Sequence, residues 1–500
     1  MVMKRALIVF GIFAASGLAY LSAQTDLSGI WLLRTSNNDG TYRKTFFKLN
    51  QQGSGLTGSV DFNYRNIEIA NGTVDNGKFH FAVGNGRRQR TVEGSLTGDR
   101  LHLEMKSADG KVIEEGDAQR SSEQAMVPPP PRPLPALHDV PDNGLARTPP
   151  MGWNSWNHFS HRIDDKTVRE IADAMASNGM KDAGYIYVNI DDTWQGERDA
   201  SGRIHANTKF PDMKALADYV HSKGLKIGIY SSPGPTTCAA YTGSFGHETD
   251  DANTYAEWGF DYLKYDWCSA SAIYKDTDMQ RLYQVMGDAL QATHRPIVFS
   301  LCQYGREDVW NWGAKVGGNS WRTTGDISDN WKSMSKIGFS QLKIAPYATV
   351  GHWNDPDMLE IGNGGMSDNE YKTHMTMWSM LRSPLLAGND VRDMSAETKS
   401  ILLNKDVIAI DQDRAGKPAK LAKTDGETEI WTRPLAGGAT ALAFFNRGDQ
   451  PAKVTLQWSD AGVKAPKHAR DLWAHKDVKV SKTGYTAEVP VHGTVLLWLK

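Results

Sequence analysis

The sequence predicts a (β/α)8 barrel flanked by two antiparallel β regions. Three observations carry that expectation. From Met151 to about Asp411 the chain repeats strand, loop and helix, over the length such a barrel needs. On either side of that stretch helix signals are sparse and hairpin signals are dense. A proline-rich run separates the first β region from the repeat.

The N-terminus reads as a secretion signal over residues 1–23. Lys4 and Arg5 precede the apolar run Ala6–Tyr20, and Leu21-Ser22-Ala23 offers a small-residue cleavage site. The mature chain is then expected to be secreted or periplasmic, free of the membrane after cleavage. A formal net charge of −2 over 500 residues gives no electrostatic reason for a nucleic-acid partner. It assigns no oligomeric state. Cysteines pair in an oxidising compartment. Only Cys238, Cys268 and Cys302 are present, which allows one bridge and one free thiol in a monomer.

Residues 24–120 form a small antiparallel β domain, barrel or sandwich, by their turns. Asn76-Gly77, Asn85-Gly86 and Asp109-Gly110 are favoured tight-turn pairs, and Thr97-Gly98-Asp99 is another turn. Alternating runs such as Lys78–Phe81 and Leu101–Met105 lie between them. Residues 121–148 make a linker. Pro128–Pro131 is followed by Pro133, Pro135 and Pro141, a composition that favours an extended, semi-rigid spacer.

Residues 149–414 hold the expected barrel. Its strands are predicted at Gly152–Trp156, Tyr185–Asp191, Leu225–Ser231, Phe260–Asp266, Pro296–Cys302, Ser320–Thr324, Gly351–Asp355 and Leu385–Asn389. Helices fall between them. Asp164 or Asp165 caps one whose apolar positions Val168, Ile171, Ala172, Met175 and Ala176 keep helical spacing, and Asn178-Gly179 stops it. Met213–Ser222 and Glu370–Arg382 repeat the form. No glycine-rich phosphate loop follows the first strand, which argues against a doubly wound open sheet. In residues 415–500 strands are expected at Ile430–Arg433, Ala441–Asn446, Ala452–Trp458 and Val495–Leu499, a C-terminal antiparallel β-sandwich.

The unusual side chains fall at the strand ends of that barrel, which is the open mouth where such folds place their chemistry. On Asp261–Cys268 the period of two puts Lys264 and Asp266 on one face and Leu263 and Tyr265 on the other. A charged pair on a buried strand is costly unless it meets something polar. Asp191 and Asp192 close the second strand, Tyr230 the third, Arg322 and Asp326 the sixth, and Asp355 and Asp357 the seventh. Trp153, Trp194, Trp267, Trp321 and Trp353 lie beside them. Carboxylates and an arginine bind hydroxyl groups in pairs, and an aromatic face covers the apolar side of a sugar ring. Two opposed carboxylates are also what glycoside hydrolysis needs. A metal hydrolase is the rival enzyme class, but His158, His247 and His352 are scattered rather than clustered as ligands. A sugar-binding barrel without turnover is the rival outside enzymology.

Five spaced motifs resemble the α-galactosidases of glycoside hydrolase family 27. They are PMGWNSWNHF (150–159), NIDDTW (189–194), LKYDWC (263–268), SWRTTGD (320–326) and WNDPDMLEIGN (353–363). KDVIAIDQ (405–412) and the terminal sandwich extend the likeness, which begins near Pro149 and leaves out the N-terminal domain. The resemblance implies a retaining exo-glycosidase without metal or other cofactor, acting on carbohydrate that ends in α-linked galactose. It makes Asp266 the nucleophile and Asp326 the general acid/base. It places Trp153, Asp191, Asp192, Tyr230, Lys264, Arg322 and Asp357 around the sugar. It also implies a bridge between Cys238 and Cys268, leaving Cys302 free. His161 and Thr193 stand where many relatives carry a second pair of cysteines. Gln303 stands where galactosidases often have Glu, near the sugar's 2-position, so relatives acting on β-L-arabinopyranosides, α-N-acetylgalactosaminides or isomalto-oligosaccharides rank behind α-galactosides as alternatives.

Overall fold

The structure, a computed structural model, describes residues 26–500; the expected secretion signal lies outside them. The chain forms two compact units, one ending in Thr35 and resuming over Lys44–Met126, the other made of Ser36–Arg43 and Val127–Lys500.

The first unit is a closed barrel of eight antiparallel strands, each paired with its neighbours in sequence and the last with the first. They are β1 (Gly29–Ser36), β2 (Tyr42–Gln52), β3 (Gly55–Phe62), β4 (Arg65–Asp75), β5 (Lys78–Val83), β6 (Arg90–Thr97), β7 (Arg100–Lys106) and β8 (Val112–Arg120). The β4–β5 turn is Asn76-Gly77 with φ of 48° and 75°. A positive φ at both central residues suits the twist of the flanking strands. Alternate side chains fill the interior: Trp31, Phe47, Phe79, Phe81, Leu101 and Leu103 are all buried there.

In the second unit eight parallel strands form a ring: β9 (Met151–Asn154), β10 (Tyr187–Asn189), β11 (Lys226–Ser231), β12 (Tyr262–Asp266), β13 (Val298–Cys302), β14 (Ser320–Arg322), β15 (Trp353–Asp355) and β16 (Leu385–Ala387). Each predicted strand is present and shorter than predicted, mostly at one end; the first begins one residue earlier, at Met151. The seam between β15 and β16 is narrow. Leu359, just beyond β15, donates its N–H to Leu386 O at 2.8 Å and accepts from Gly388 N at 2.9 Å. Gly152 allows β9 to approach β10 closely, because a Cβ there would stand 2.4 Å from Tyr187 O.

The outer helices are α1 (Asp165–Ser177), α2 (Met213–Ser222), α3 (Glu248–Trp258), α4 (Met279–Ala292), α5 (Trp331–Ser340) and α6 (Asp368–Leu381). Asp164 is the cap of α1, accepting from Thr167 N at 2.8 Å, a contact worth about 1 kcal/mol. Val168, Ile171, Ala172 and Met175 face the ring, and Gly179 ends the turn with φ 97°. Ser367 and Glu370 form a capping box on α6, which stops at Arg382 in the left-handed region before Pro384.

The proline-rich run contains no strand, but it is no free spacer. His138 N donates to Gln284 Oε1, Gln284 Nε2 donates to Ala136 O, Arg132 N donates to Tyr274 Oη and Val140 N donates to Lys315 O. Composition reports stiffness; these docking bonds depend on Tyr274 just before α4, on Gln284 within it and on the loop before β14, far away in the chain.

The C-terminal residues form a six-stranded sheet facing a two-stranded one, a β-sandwich. Period-two alternation gives the large sheet two buried faces. Ile430, Leu442, Phe444 and Leu497 meet Val454, Leu456 and Val489 inside the sandwich. Trp431, Ala443, Phe445 and Leu496 join the core of the parallel barrel, where Phe339 of α5 packs edge-on against Trp431 and Phe445.

Candidate active site

The mouth is built from the last residue or two of each barrel strand. On β12, Lys264 and Asp266 face inward as alternation requires, while Leu263 and Tyr265 join the apolar core. Lys264 Nζ is 2.8 Å from Asp191 Oδ2, and Asn154 Nδ2 donates to that same oxygen at 2.8 Å. Asp191 N donates to Ser155 Oγ at 2.9 Å. Burial works against charge on Lys264, yet Asp191 foremost among its neighbours carries the ammonium well above its ordinary range.

Asp192 is held by backbone. Its oxygens accept from Thr193 N at 2.7 Å and Ala239 N at 2.8 Å. Burial pushes its carboxyl up to about 7 despite those bonds.

Asp266 is buried, with Tyr304 Oη donating to Oδ1 at 2.6 Å and Tyr230 Oη donating to Oδ2 at 3.2 Å. Burial raises its pKa; Lys264, then the Tyr304 hydrogen bond, pull it back. Asp191 pushes it up and Arg322 down. Cys302, whose thiol burial pushes well up, is a further titratable neighbour, as is Tyr283. The acid limb of kcat/KM for a reaction that needs the ionised carboxylate therefore lies above the ordinary aspartate range, and activity falls as pH drops through it. Lys264→Met removes the strongest opposing charge. The expected result is an acid limb moved to higher pH, read from kcat/KM against pH on an aryl glycoside; an unmoved limb would separate Lys264 from the charge state of Asp266.

On the far side, Arg322 Nη2 lies 2.8 Å from Asp357 Oδ2 and 3.0 Å from Asp326 Oδ1. Asp357 is fixed further by the N–H groups of Ile327 and Met358 and has φ 101°. Trp378 of α6 donates its indole N–H to Asp357 O at 2.7 Å. Burial raises the Asp357 carboxyl against the pull of Arg322. Asp326 is different: its side chain is 78% exposed, at the open rim.

Cys238 and Cys268 form a disulfide and Cys302 is free and buried. The group Cys238, Asp266 and Cys268 brings potential ligand atoms within 4.8 Å of one another, but both sulfurs are committed to the bridge and are not thiolates.

Of the residues expected around the sugar, Asp191, Asp192, Tyr230, Lys264, Arg322 and Asp357 converge with Asp266 and Asp326. Gln303 is wholly buried at the end of β13, its Nε2 3.4 Å from Arg322 O and its Oε1 without a partner among the described residues. Trp153 is placed differently from the expectation. Its indole is 0% exposed, bonded to Asn389 O and packed edge-on against Phe159. Alternation explains this: Asn154 points to Asp191, so Trp153 points to the helices. Trp156, two residues beyond Asn154, is only partly buried and lines a cleft at the mouth. Tyr304 and Asn154 were also missed. Period two on β9 could have found Asn154; Tyr304 had only its position just past a strand end as a signal.

A parallel barrel carrying two carboxylates of opposite exposure at its mouth, amid hydroxyl-binding groups, defines a glycoside hydrolase. Residues 148–413 match the family model described as alpha galactosidase A, and residues 425–499 match the alpha galactosidase C-terminal β-sandwich domain. The chain belongs to the α-galactosidases of glycoside hydrolase family 27. A probable α-galactosidase of Dictyostelium discoideum is 46% identical over 366 residues, covering 72% of this chain and 94% of its own. The crystal structure of α-galactosidase I from Mortierella vinacea superposes with a TM-score of 0.70 at 40% identity, covering 72% of this chain and 98% of that one. A solved structure from Bacteroides fragilis reaches further along the chain, covering 94% of it and 92% of its own, with a TM-score of 0.69 at 32% identity.

Proposed function

We propose that this chain is a retaining exo-glycosidase that removes terminal α-linked galactose from oligosaccharides or glycoconjugates outside the cytoplasm. The observation that carries the reading is the contrast between its two carboxylates. Asp266 is buried, with a hydroxyl donor on each oxygen and Lys264 beside it on the strand. Asp326 stands exposed at the rim with Arg322 on one oxygen. Opposite demands on two carboxyl groups are met by opposite surroundings. Asp266 attacks the anomeric carbon and Asp326 protonates the departing oxygen. Water then enters with Asp326 as base, and the sugar leaves Asp266.

Asp191 and Asp192, adjacent at the end of β10, offer acceptors for two neighbouring hydroxyls. Galactose presents its axial 4-hydroxyl beside the 6-hydroxymethyl. Glucose turns the 4-hydroxyl away and leaves a buried carboxylate short of a partner, a penalty of roughly a few kcal/mol. A cleft of about 440 Å3 opens beside the Asp326 loop, lined by Trp156, Ile327, Asp329 and Glu360 among others. That volume suits a departing sugar. Among the described residues no helix is long and apolar enough to cross a membrane.

The test is a kcat/KM panel of aryl α-galactoside, β-L-arabinopyranoside, α-N-acetylgalactosaminide and α-glucoside. The galactoside is expected to lead. An arabinoside or glucoside ahead of it by about tenfold, roughly 1.4 kcal/mol, would overturn the sugar while keeping the mechanism. Galactose bound with no substrate hydrolysed would replace the enzyme with a sugar-binding barrel.

A further inference from the structure

Both oxygens of Asp266 carry a tyrosine hydroxyl, and the two bonds are unequal. Tyr304 Oη donates to Oδ1 at 2.6 Å, a length of strong hydroxyl–carboxylate bonds. Tyr230 Oη reaches Oδ2 at 3.2 Å, beyond the usual range for a hydroxyl donor. The nearby cations are engaged elsewhere, Lys264 with Asp191 and Arg322 with Asp357 and Asp326. Behind the tyrosines lies the disulfide. Tyr230 Oη is 3.5 Å from Cys268 Sγ, and Tyr304 Oη is 3.7 Å from Cys238 Sγ. The bridge thus walls both hydroxyls against the carboxylate. Oδ1 is the held oxygen and Oδ2 the freer one.

We propose that Tyr304 speeds the second half of the reaction, holding Oδ1 while Oδ2 carries the sugar and stabilising the charge that returns to Asp266 when the sugar leaves. The inference rests on Asp266 being the nucleophile. In the first step Oδ2 bonds to the anomeric carbon as the bond to the leaving oxygen breaks, and that oxygen takes the proton of Asp326. Oδ1 becomes an ester carbonyl, a weaker acceptor than a carboxylate. In the second step a water oxygen bonds to the anomeric carbon and its proton passes to Asp326. The carbon–Oδ2 bond breaks and its electron pair returns to Asp266. Charge grows on the carboxyl group that Tyr304 holds, so this bond is stronger in the second transition state than in the intermediate. In the first step the same bond is strongest before reaction begins, so losing it costs that step little.

Tyr304→Phe separates the two steps. On a dinitrophenyl galactoside, kcat is expected to fall about 10- to 30-fold with KM falling in parallel, leaving kcat/KM within about threefold. Rapid quenching should then show a burst of aryl alcohol approaching one equivalent. A merely structural role would instead lower kcat/KM as far as kcat, with no burst, and that result overturns the proposal. The nucleophile is checked separately by peptide mass mapping of wild-type protein labelled with a 2-deoxy-2-fluoro-galactosyl donor. A label away from Asp266 overturns both readings; a label on Asp266 without the burst in the variant overturns only this one. Should the variant fail to fold, 3,5-difluorotyrosine placed at 304 carries the test. Its stronger donor should shorten the reactivation time of the fluorosugar-labelled enzyme, and an unchanged or longer time counts against Tyr304.

Discussion

Asp266→Ala is expected to lower turnover by roughly 10^4- to 10^6-fold, the scale seen when a covalent nucleophile is removed. The same substitution should abolish labelling by a 2-deoxy-2-fluoro-galactosyl donor. Three neighbouring carboxylates are poorly placed to take over. Asp191 is tied to Lys264 and Asn154, Asp192 to backbone N–H groups, and Asp357 to Arg322 and two N–H groups. Those partners fix the orientation of each carboxylate, whose remaining lone pairs suit it to accept sugar hydroxyls rather than to attack carbon. Asp266 is held by neutral hydroxyls, one of them long, which leaves an oxygen free to attack. Label appearing on another carboxylate of the mouth, with Asp266 untouched, would remove the assignment.

The second large effect belongs to Asp326. Asp326→Ala should cost about 10^2- to 10^4-fold on substrates with a poor leaving group, such as a galactosyl disaccharide. On dinitrophenyl galactoside the first step needs little protonation, so the loss in kcat/KM should be much smaller. The exposed setting fits this role, since a residue that protonates one oxygen and then accepts a proton from water must reach both leaving group and solvent. Equal losses in kcat/KM on the two substrates would argue that Asp326 supports Arg322 instead of moving a proton.

The eight barrel strands and the faces of β12 were legible in the sequence, because strand and helix periods act locally. The gathering of acids at the strand ends was legible too, since charges on a buried sheet have few other places to go; their separate roles came from the resemblance alone. Trp153 was expected at the sugar by resemblance, and alternation along β9, itself a local rule, argues otherwise. Adjacent residues on a strand face opposite ways, so placing a tryptophan one residue away from Asn154 moves it from the mouth to the core. Local reading stops at Gln303, whose burial no period along the strand reports. It sits just past a strand end, yet it is wholly buried, because its amide packs against the carbonyl of Arg322 on the next strand.

By itself the sequence determined the strand-helix alternation, the inward face shared by Lys264 and Asp266, and which acids stand at strand ends. Those follow from periods of two and 3.6 residues, which any short segment carries within itself. Only the tertiary structure decided which of these groups meet. Tyr304 reaches Asp266 from the loop after the neighbouring strand, and Arg322 reaches both Asp326 and Asp357. Asp357 turns into place through a left-handed φ of 101°. The ring is joined by Leu359, a residue outside any strand. Contacts across a closed barrel depend on strand tilt, stagger and the conformations of the rim loops, and these are set by packing of the whole ring at once.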